Sequence, residues 1–378
     1  MSKKVIFVSR CAWTLFNFRA GLMKAVKAQG YEVLGGGSGG DGYEPSIEAL
    51  GVPFTSLPVS FKPINPFADL ALIWTLYRWY RRERPRVVHH FTIKPVIYGS
   101  IAARMARVPQ IINTITGLGY AFTGDRVTWL QRVVERLYKW SLARSDFTFF
   151  QNRDDWEQFT RRGFVAPELT ALLPGSGVDI DHFSPQADRD DQANGEGTTF
   201  LMVARLLRDK GIYEYVEAAR QVKTRYPSAR FQLLGARDAR NPGVVPQADV
   251  ERWESDGLVD LLGEVSDVRG AVTEADVVVL PSYREGIPRA LLEAAAMAKP
   301  IITTDAVGCR EAVDHDQTGL LVPVRDVPAL GEAMIRMIEN PALREGMGAA
   351  GRRKMEREFN ERIVIDKVME AYVSGSGT

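Results

Sequence analysis

Apolar residues occur along the chain in short runs that alternate with amphipathic stretches. The run "KKVIFVSR" predicts a buried strand, and "FRAGLMKAVKAQG" predicts the helix that follows it, closed by Gly30. A longer helix is predicted to begin at its N-cap Asn65, with Pro66 as its first residue, and to end at Pro85. Strands that alternate with helices in this way indicate βαβ units and a mostly parallel sheet.

The alternation is interrupted once, by a segment rich in Gly, Pro and Asp that begins near residue 173. A second alternating series starts at "TTFLMVARL". We therefore predict two α/β, Rossmann-like, doubly wound domains, 1–172 and 173–355, with a C-terminal helix in 356–378 that packs back on the first. Ligands bind outside the carboxyl ends of parallel strands, so the predicted site is a cleft across which the two domains face each other.

Composition narrows the class of protein. The 378 residues exceed what one hydrophobic core usually supports, and 45% hydrophobic with 25% charged residues is typical of a globular enzyme. A net charge of +1 argues against nucleic acid as a partner of the whole chain. The two cysteines and four histidines form no disulfide framework and no usual metal spacing, so we expect no metal and no other cofactor. Without a signal peptide or a long apolar run, the expected location is the cytoplasm, at most peripheral on a membrane.

Two motifs have a functional and a structural interpretation. Gly35, Gly37 and Gly40 fit the dinucleotide pattern G-x-G-x-x-G, but they follow the second strand rather than the first, which favours a flexible loop. Asp179 and Asp181 could ligate a metal that clamps a diphosphate, but their place in the linker favours a turn.

A cationic motif follows the first strand of the second domain. In "VARLLRDKGI", Arg205 falls at the strand end and Lys210 precedes Gly211, where the next helix opens. Strand ends and helix N-termini receive anions well, so the two cations suit a diphosphate. Ordinary loop charges are the alternative.

The segment "REGIPRALLE" places two carboxylates seven residues apart. Pro288 is predicted as the first helical residue, and Gly286 allows a ligand to approach the backbone. Glu285 would then lie at the helix mouth and bind sugar hydroxyls, while Glu293, further along the helix, would bind a ribose diol. The pattern predicts that the two carboxylates hold the two ends of a nucleotide sugar.

These segments resemble the retaining glycosyltransferases of the large bacterial family four, which have the two-domain GT-B fold. The likeness rests on "PSYREGIPRALLEAAAMAKPIITTDAVGCREAV", "ARLLRDKGI", "PGSGVDIDHF" and "LLGEVSDV". It implies diphosphate contacts from Arg205 and Lys210, and ribose binding by Glu293. It also implies sugar contacts from Glu285 and the backbone of Gly286, Ile287 and Pro288, with the base near Val265.

The first domain is similar to members that build capsule, O-antigen and N-glycan precursors on polyprenyl-diphosphate carriers. The segments concerned are "HHFTIKPVIYG" and "ITGLGYAFTG". Catalytic candidates are Glu285, Lys94 and His90, although a structural histidine is an equal alternative for His89 and His90. The implied acceptor-binding residues are Asn17, Arg19, Lys94, Gly117 and Gly119.

Two predicted helices combine aromatic and basic residues, which suits the surface of an anionic membrane; packing on the sheet with solvated arginines is the alternative. In the first they are Trp74, Tyr77, Arg78, Trp79, Tyr80, Arg81, Arg82 and Arg84, and in the second Trp129, Arg132, Arg136, Tyr138 and Lys139.

We therefore expect a retaining, metal-independent transferase that moves a hexosyl or N-acetylhexosaminyl group from a nucleoside-diphosphate sugar, UDP-linked, to a polyprenyl-diphosphate-linked saccharide. The expected place of action is the inner face of the cytoplasmic membrane. The alternatives are a UDP-sugar epimerase of the same fold and a catalytically silent nucleotide-sugar-binding scaffold on the membrane.

Overall fold

The computed structural model describes residues 3–60, 65–117, 129–185, 197–237, 239 and 241–374. These residues form two compact units. The first takes in the chain up to Ser176 together with the segment from Glu361 onward, and the second is Gly177–Asn360. Both boundaries fall a few residues beyond those predicted from the sequence.

A seven-stranded parallel sheet forms the centre of the first unit, in the order β3-β2-β1-β4-β5-β6-β7. Its strands are β1 (Lys4–Cys11), β2 (Glu32–Ser38), β3 (Phe54–Ser56), β4 (Val87–Phe91), β5 (Gln110–Ile115), β6 (Phe147–Phe150) and β7 (Thr170–Leu172).

Helices cover both faces of this sheet. One face carries α1 (Ala12–Ala28), α2 (Glu44–Ala49) and α13 (Glu361–Ser374). The other carries α3 (Pro66–Glu83), a π-helical turn (Pro95–Gly99) that continues into α4 (Ser100–Ala106), α5 (Trp129–Leu142) and α6 (Arg153–Arg161).

The second unit has a six-stranded parallel sheet, in the order β10-β9-β8-β11-β12-β13, and one contiguous apolar core. Its strands are β8 (Thr199–Val203), β9 (Arg230–Leu234), β10 (Asp260–Gly263), β11 (Val277–Leu280), β12 (Ile301–Thr304) and β13 (Gly319–Val322). Its helices are α7 (Ile212–Arg225), α8 (Gln247–Ser255), α9 (Arg269–Glu274), α10 (Arg289–Ala296), α11 (Val327–Glu339) and α12 (Pro341–Lys354).

Two sequence predictions need correction. Gly35, Gly36 and Gly37 of the glycine run predicted as a loop belong to β2, which ends at Ser38, so that Gly39, Gly40 and Gly42 lie beyond the strand. A Cβ on Gly36 would lie 2.7 Å from the ring of Trp79, so glycine is needed there for packing. The C-terminal helix is also not continuous from residue 356, because a π-helical turn (Met355–Phe359) and the non-helical Asn360 precede α13.

Candidate functional site

The loops that carry the cationic and acidic motifs border the point where the strand order of the second sheet reverses. That reversal lies between β8 and β11, and crevices outside the carboxyl ends of such strands are the usual ligand sites of open α/β sheets. Arg205 follows β8 and is exposed, while Glu285 lies in the loop that follows β11. The two motifs thus meet at one edge of the sheet.

An ion pair joins these two loops. Lys210 Nζ donates to Glu285 Oε1, and each side chain is only 14% exposed. The buried Ser282 hydroxyl lies 2.8 Å from the same carboxylate oxygen and 3.1 Å from the carbonyl oxygen of Asp209. Since an ammonium group has three donors, Lys210 can hold Glu285 and still donate to an anionic ligand. Ser282 was not predicted as a site residue. The only feature of the sequence that could have indicated it is its place three residues before Glu285.

Glycines set how closely these loops approach one another. Gly308 has φ +85°, and a Cβ there would lie 2.5 Å from the carbonyl oxygens of both Glu285 and Gly286. The amide of Glu285 also donates to Val307 O at 2.8 Å, so the loop is fixed from the same side. Gly211, the N-cap of α7 with φ +77°, packs in the same way, since its Cβ would lie 2.1 Å from Pro281 O. The backbone that presents Glu285 is therefore held at distances that only glycine permits.

Glu293 lies on α10 and is largely buried. The sequence predicted Pro288 as the first residue of this helix. The helix begins at Arg289 instead, and Pro288 is its N-cap. Arg289 Nε donates to Glu293 Oε1 at 2.6 Å, a contact that the i, i+4 spacing could have revealed. Burial raises the pKa of Glu293, while the charge of Arg289 opposes that rise.

The loop after β10 lies close to this carboxylate. Asp267, in that loop, is near enough for its charge to raise the pKa of Glu293 further. The same loop carries Val265, whose side chain is 43% exposed. Val265, predicted to lie beside the nucleobase, therefore belongs to a loop close to Glu293, which is predicted to bind the ribose.

The histidine pair of the first unit lies inside the sheet. His90 is fully buried, with Nε2 3.0 Å from the Tyr80 hydroxyl and Nδ1 3.0 Å from Asn113 Oδ1. His89 is equally buried, between Tyr372 and Thr114. Burial lowers the pKa of His90 to about 4 and that of His89 well below its usual range. Both rings are neutral core residues, so the catalytic role predicted for His90 has no support in this arrangement.

Lys94 lies in the segment that follows β4, but it is paired. Its Nζ donates to Asp69 Oδ1 at 2.6 Å, and Tyr98 donates to the other oxygen of that carboxylate at 3.0 Å. Lys94 and Asp69 are only 12% and 6% exposed. Its contact with an acceptor phosphate stays a prediction, and such a phosphate would have to share Lys94 with Asp69.

The other predicted acceptor residues lie on α1 and in the segment that follows β5. Arg19 is buried, lies over the ring of Phe91 and donates to Ser176 Oγ at 3.1 Å, which gives it a packing role. Asn17 donates to the carbonyl oxygen of Trp13 within α1. Gly117 follows β5 with φ +115°, whereas Gly119 lies outside the described residues.

Asp179 stabilises a turn, because its Oδ1 accepts from the amides of Asp181 and His182 at 3.1 and 3.0 Å. Within the described part of the chain, His, Cys, Asp and Glu side chains do not assemble in groups of three that could hold a metal ion. Over the same residues, each helix is too short or too polar to cross a bilayer.

Two family models match the chain. The model described as "Glycosyl transferase 4-like domain" matches residues 18–175, and the one described as "Glycosyl transferases group 1" matches residues 197–340. One model falls in each unit, and together they span most of the sequence. The chain belongs to this family of glycosyltransferases, as the sequence motifs predicted.

Among curated proteins, the N,N'-diacetylbacillosaminyl-diphospho-undecaprenol alpha-1,3-N-acetylgalactosaminyltransferase of Campylobacter jejuni is 27% identical, over 98% of this chain and 98% of its own length. The UDP-Gal:alpha-D-GlcNAc-diphosphoundecaprenol alpha-1,3-galactosyltransferase of Escherichia coli is 26% identical, over 84% of this chain and 82% of its own.

Solved structures agree in fold. Anabaena Alr3699/HepE in complex with UDP and glucose aligns with a TM-score of 0.80 at 16% identity, covering 98% of this chain and 99% of that one. Sucrose-phosphate synthase from Thermosynechococcus elongatus aligns with a TM-score of 0.80 at 20% identity, covering 98% of each. The predicted GT-B fold is confirmed.

Proposed function

We propose that this glycosyltransferase moves a hexosyl or N-acetylhexosaminyl group from a UDP-sugar to a polyprenyl-diphosphate-linked saccharide, with retention at the anomeric carbon. The observation that carries the proposal is the network of Lys210, Ser282 and Glu285 at the reversal point of the second sheet. The two relatives support the acceptor class, since by their names both act on sugars linked to diphosphoundecaprenol.

Each end of the donor has a set of proposed contacts. Arg205 and Lys210 bind the diphosphate, because cations beside a leaving group stabilise the charge that develops on it. Glu293 accepts hydrogen bonds from the ribose, and the base lies near Val265. The transferred sugar contacts Glu285 and the backbone of Gly286, Ile287 and Pro288.

Retention follows a same-face course in this scheme. The bond from the anomeric carbon to the diphosphate oxygen breaks, and the acceptor hydroxyl forms its bond on the same face. The acceptor proton passes to the departing diphosphate, so no separate base is required. Lys210 and Arg205 offset the negative charge left on that diphosphate.

The proposal assigns this charge stabilisation to the two cations and not to a metal ion. Asp179, the first acidic residue of the linker motif, is engaged in its turn. Activity is therefore expected to survive EDTA, and an inactivation that magnesium reverses would return Asp179 and Asp181 to consideration as ligands.

The proposed acceptor enters at the first unit, at the inner face of the cytoplasmic membrane. Lys94 follows β4 and Gly117 follows β5, two adjacent strands whose carboxyl ends share one edge of the sheet. That edge is where an acceptor diphosphate would meet the backbone and the Lys94 charge.

The test begins with a panel of nucleotide sugars read by thermal unfolding, because a ligand that binds the folded state raises its melting temperature. The donor so found is incubated with a polyprenyl-diphosphate-linked saccharide, and the anomeric configuration of the product is read by NMR. Conversion of the donor alone to its epimer would identify an epimerase. Binding without conversion of either substrate would identify a silent subunit.

A further inference from the structure

The exposed face of α3 changes from apolar to basic along the helix. Phe67, Leu70 and Trp74 are 87%, 64% and 56% exposed, and their spacing of three and four residues places them on one face. Arg78 and Arg81 continue the same face toward the end of the helix and are also exposed. We call these five residues the α3 outer face. The opposite side of the helix is buried in the core through Leu72, Leu76, Trp79 and Tyr80.

The apolar end of this face is fixed to the unit. Asn65 caps the helix by accepting from the amide of Ala68, and Asp69 in its first turn is paired with Lys94. Three large apolar side chains at successive turns of a well-anchored helix form a contiguous patch, which is uncommon on a protein without an interaction there.

The surroundings of the α3 outer face are basic. The described residues 66–117 and 129–144 include twelve Lys and Arg but only three Asp and Glu, whereas the whole chain has a net charge of +1. These three acidic residues are paired: Asp69 with Lys94, Glu83 with Lys4 and Arg82, and Glu135 with Arg162. On the same side of the sheet, α5 exposes Arg132, Arg136, Lys139 and Trp140.

We propose that the α3 outer face docks on an anionic lipid bilayer. Phe67, Leu70 and Trp74 enter the boundary of the acyl chains, and Arg78 and Arg81 bind lipid phosphates. A bilayer offers an apolar layer directly beneath a negatively charged one, which matches both halves of the face. A second copy of this chain would set arginine against arginine if the helices packed parallel, and arginine against the apolar residues if they packed antiparallel. An acidic protein would match only the basic half. The inference rests on the proposed function in one respect, since a lipid-linked acceptor lies in that bilayer.

Co-sedimentation with vesicles tests the docking. The probe is phosphatidylcholine vesicles with or without one third phosphatidylglycerol. One variant is Phe67→Ser/Leu70→Ser/Trp74→Ser, and a second is Arg78→Gln/Arg81→Gln. The matched control, Arg220→Gln/Arg225→Gln, removes two exposed arginines from α7 in the second unit. Circular dichroism checks that each variant is folded.

The native protein is expected to bind the anionic vesicles and to bind the neutral ones far more weakly. Each cation near an anionic surface contributes a factor of roughly five, so the arginine variant should lose about twentyfold or more in affinity at low salt. That difference should shrink at high salt because exposed charges are screened. The serine variant should lose at least about tenfold at either salt concentration, and the control should bind like the native protein.

The depth of insertion gives a second measurement. Cys11 and Cys309 are buried, so Leu70→Cys can be labelled selectively with a polarity-sensitive dye. Its emission should shift to the blue on anionic vesicles, while the same dye on Glu217→Cys of α7 should not respond.

Three results would overturn the proposal: no binding of the native protein to anionic vesicles, native-like binding by both variants, or a dimer that both variants convert to monomer without a change in vesicle binding. Transfer to a short, soluble acceptor analogue is measured in parallel. The variants should retain it, and its absence in the native protein would contradict the proposed function and not the docking.

Discussion

The two units place their ionisable side chains differently relative to the strand ends. Lys210 and Glu285 lie in loops beyond β8 and β11, partly exposed, and form an ion pair. His89 and His90 lie within β4, fully buried, with both ring nitrogens of each engaged. A side chain beyond a strand end can meet a ligand, whereas one inside a central strand serves the core. In this chain, position relative to the strand end separates the ionisable side chains that a ligand can reach from those that are enclosed in the core.

The largest expected effect on rate comes from Lys210, which lies in a loop beyond a strand end. Lys210→Ala removes the cation that we propose acts on the leaving group, and losing one such contact costs about 2.7–4 kcal/mol, or roughly a hundred- to thousandfold in kcat. Steady-state kinetics measure the loss, with Arg220→Ala on α7 as the control. The melting temperature is followed in parallel, since the variant also leaves the Glu285 carboxylate without its ammonium partner. A loss below tenfold in a folded variant would place the diphosphate elsewhere.

The two carboxylates should separate into binding and transfer. A hydrogen bond to a charged group contributes about 1.5–3 kcal/mol, so Glu293→Gln should weaken binding of the free nucleoside diphosphate by roughly ten- to hundredfold. Glu285→Gln should leave that affinity within about threefold and slow transfer, because its proposed partner is the sugar. Isothermal titration calorimetry and initial rates distinguish the two. Equal effects of both variants on nucleotide affinity would contradict the proposal that Glu293 and Glu285 bind opposite ends of the donor.

A smaller effect is expected from the glycine that supports the acidic loop. Gly308→Ala places a Cβ 2.5 Å from the carbonyl oxygens of Glu285 and Gly286, so the loop must move. A displacement near 1 Å can cost up to about a hundredfold in rate, and we expect roughly tenfold.

Gly257→Ala is the matched control. It has φ +63°, but its Cβ would meet nothing within 4 Å, so it carries the backbone strain without the contact. It should cost roughly 1 kcal/mol of stability and leave the rate unchanged. If the two variants lose the same activity, the contact with Glu285 is not what matters.

The sequence predicted much of this arrangement because its signals were local. Strand-helix alternation, the Asn65 cap and the helix opening at Gly211 depend on neighbours in the chain, and all appear in the structure. The contacts it did not predict join distant segments. Examples are the pairing of Lys94 with Asp69 and the close packing of Gly36 on Trp79, neither of which it predicted. The register of "VVHHFT" within the sheet, which decides that both histidines are buried, likewise depends on β1 and β5.

The buried histidines of β4 are expected to have the smallest effect on rate. They should instead make the stability of the folded protein depend on pH. Burial lowers the pKa of His90 from 6.5 to about 4, so between these values the unfolded chain binds a proton that the folded protein excludes. Stability contributed by the neutral ring is therefore complete above pH 6.5 and falls as the pH drops toward 4, by about 1.4 kcal/mol per pH unit. Because the pKa of His89 is also lowered, the native protein should lose more than His90 alone accounts for.

His90→Gln should reduce the difference in unfolding midpoint between pH 7 and pH 5. It should keep kcat at pH 7 within about threefold of the native value, because the ring lies in the core and a substrate does not reach it. His182→Gln, at an exposed position, should change neither quantity. Chemical unfolding followed by circular dichroism at the two pH values, together with initial rates at pH 7, provides the measurement. A tenfold loss of kcat at pH 7 with an unchanged pH dependence of unfolding would reverse the assignment, since only a ring that meets the substrate would act on rate alone.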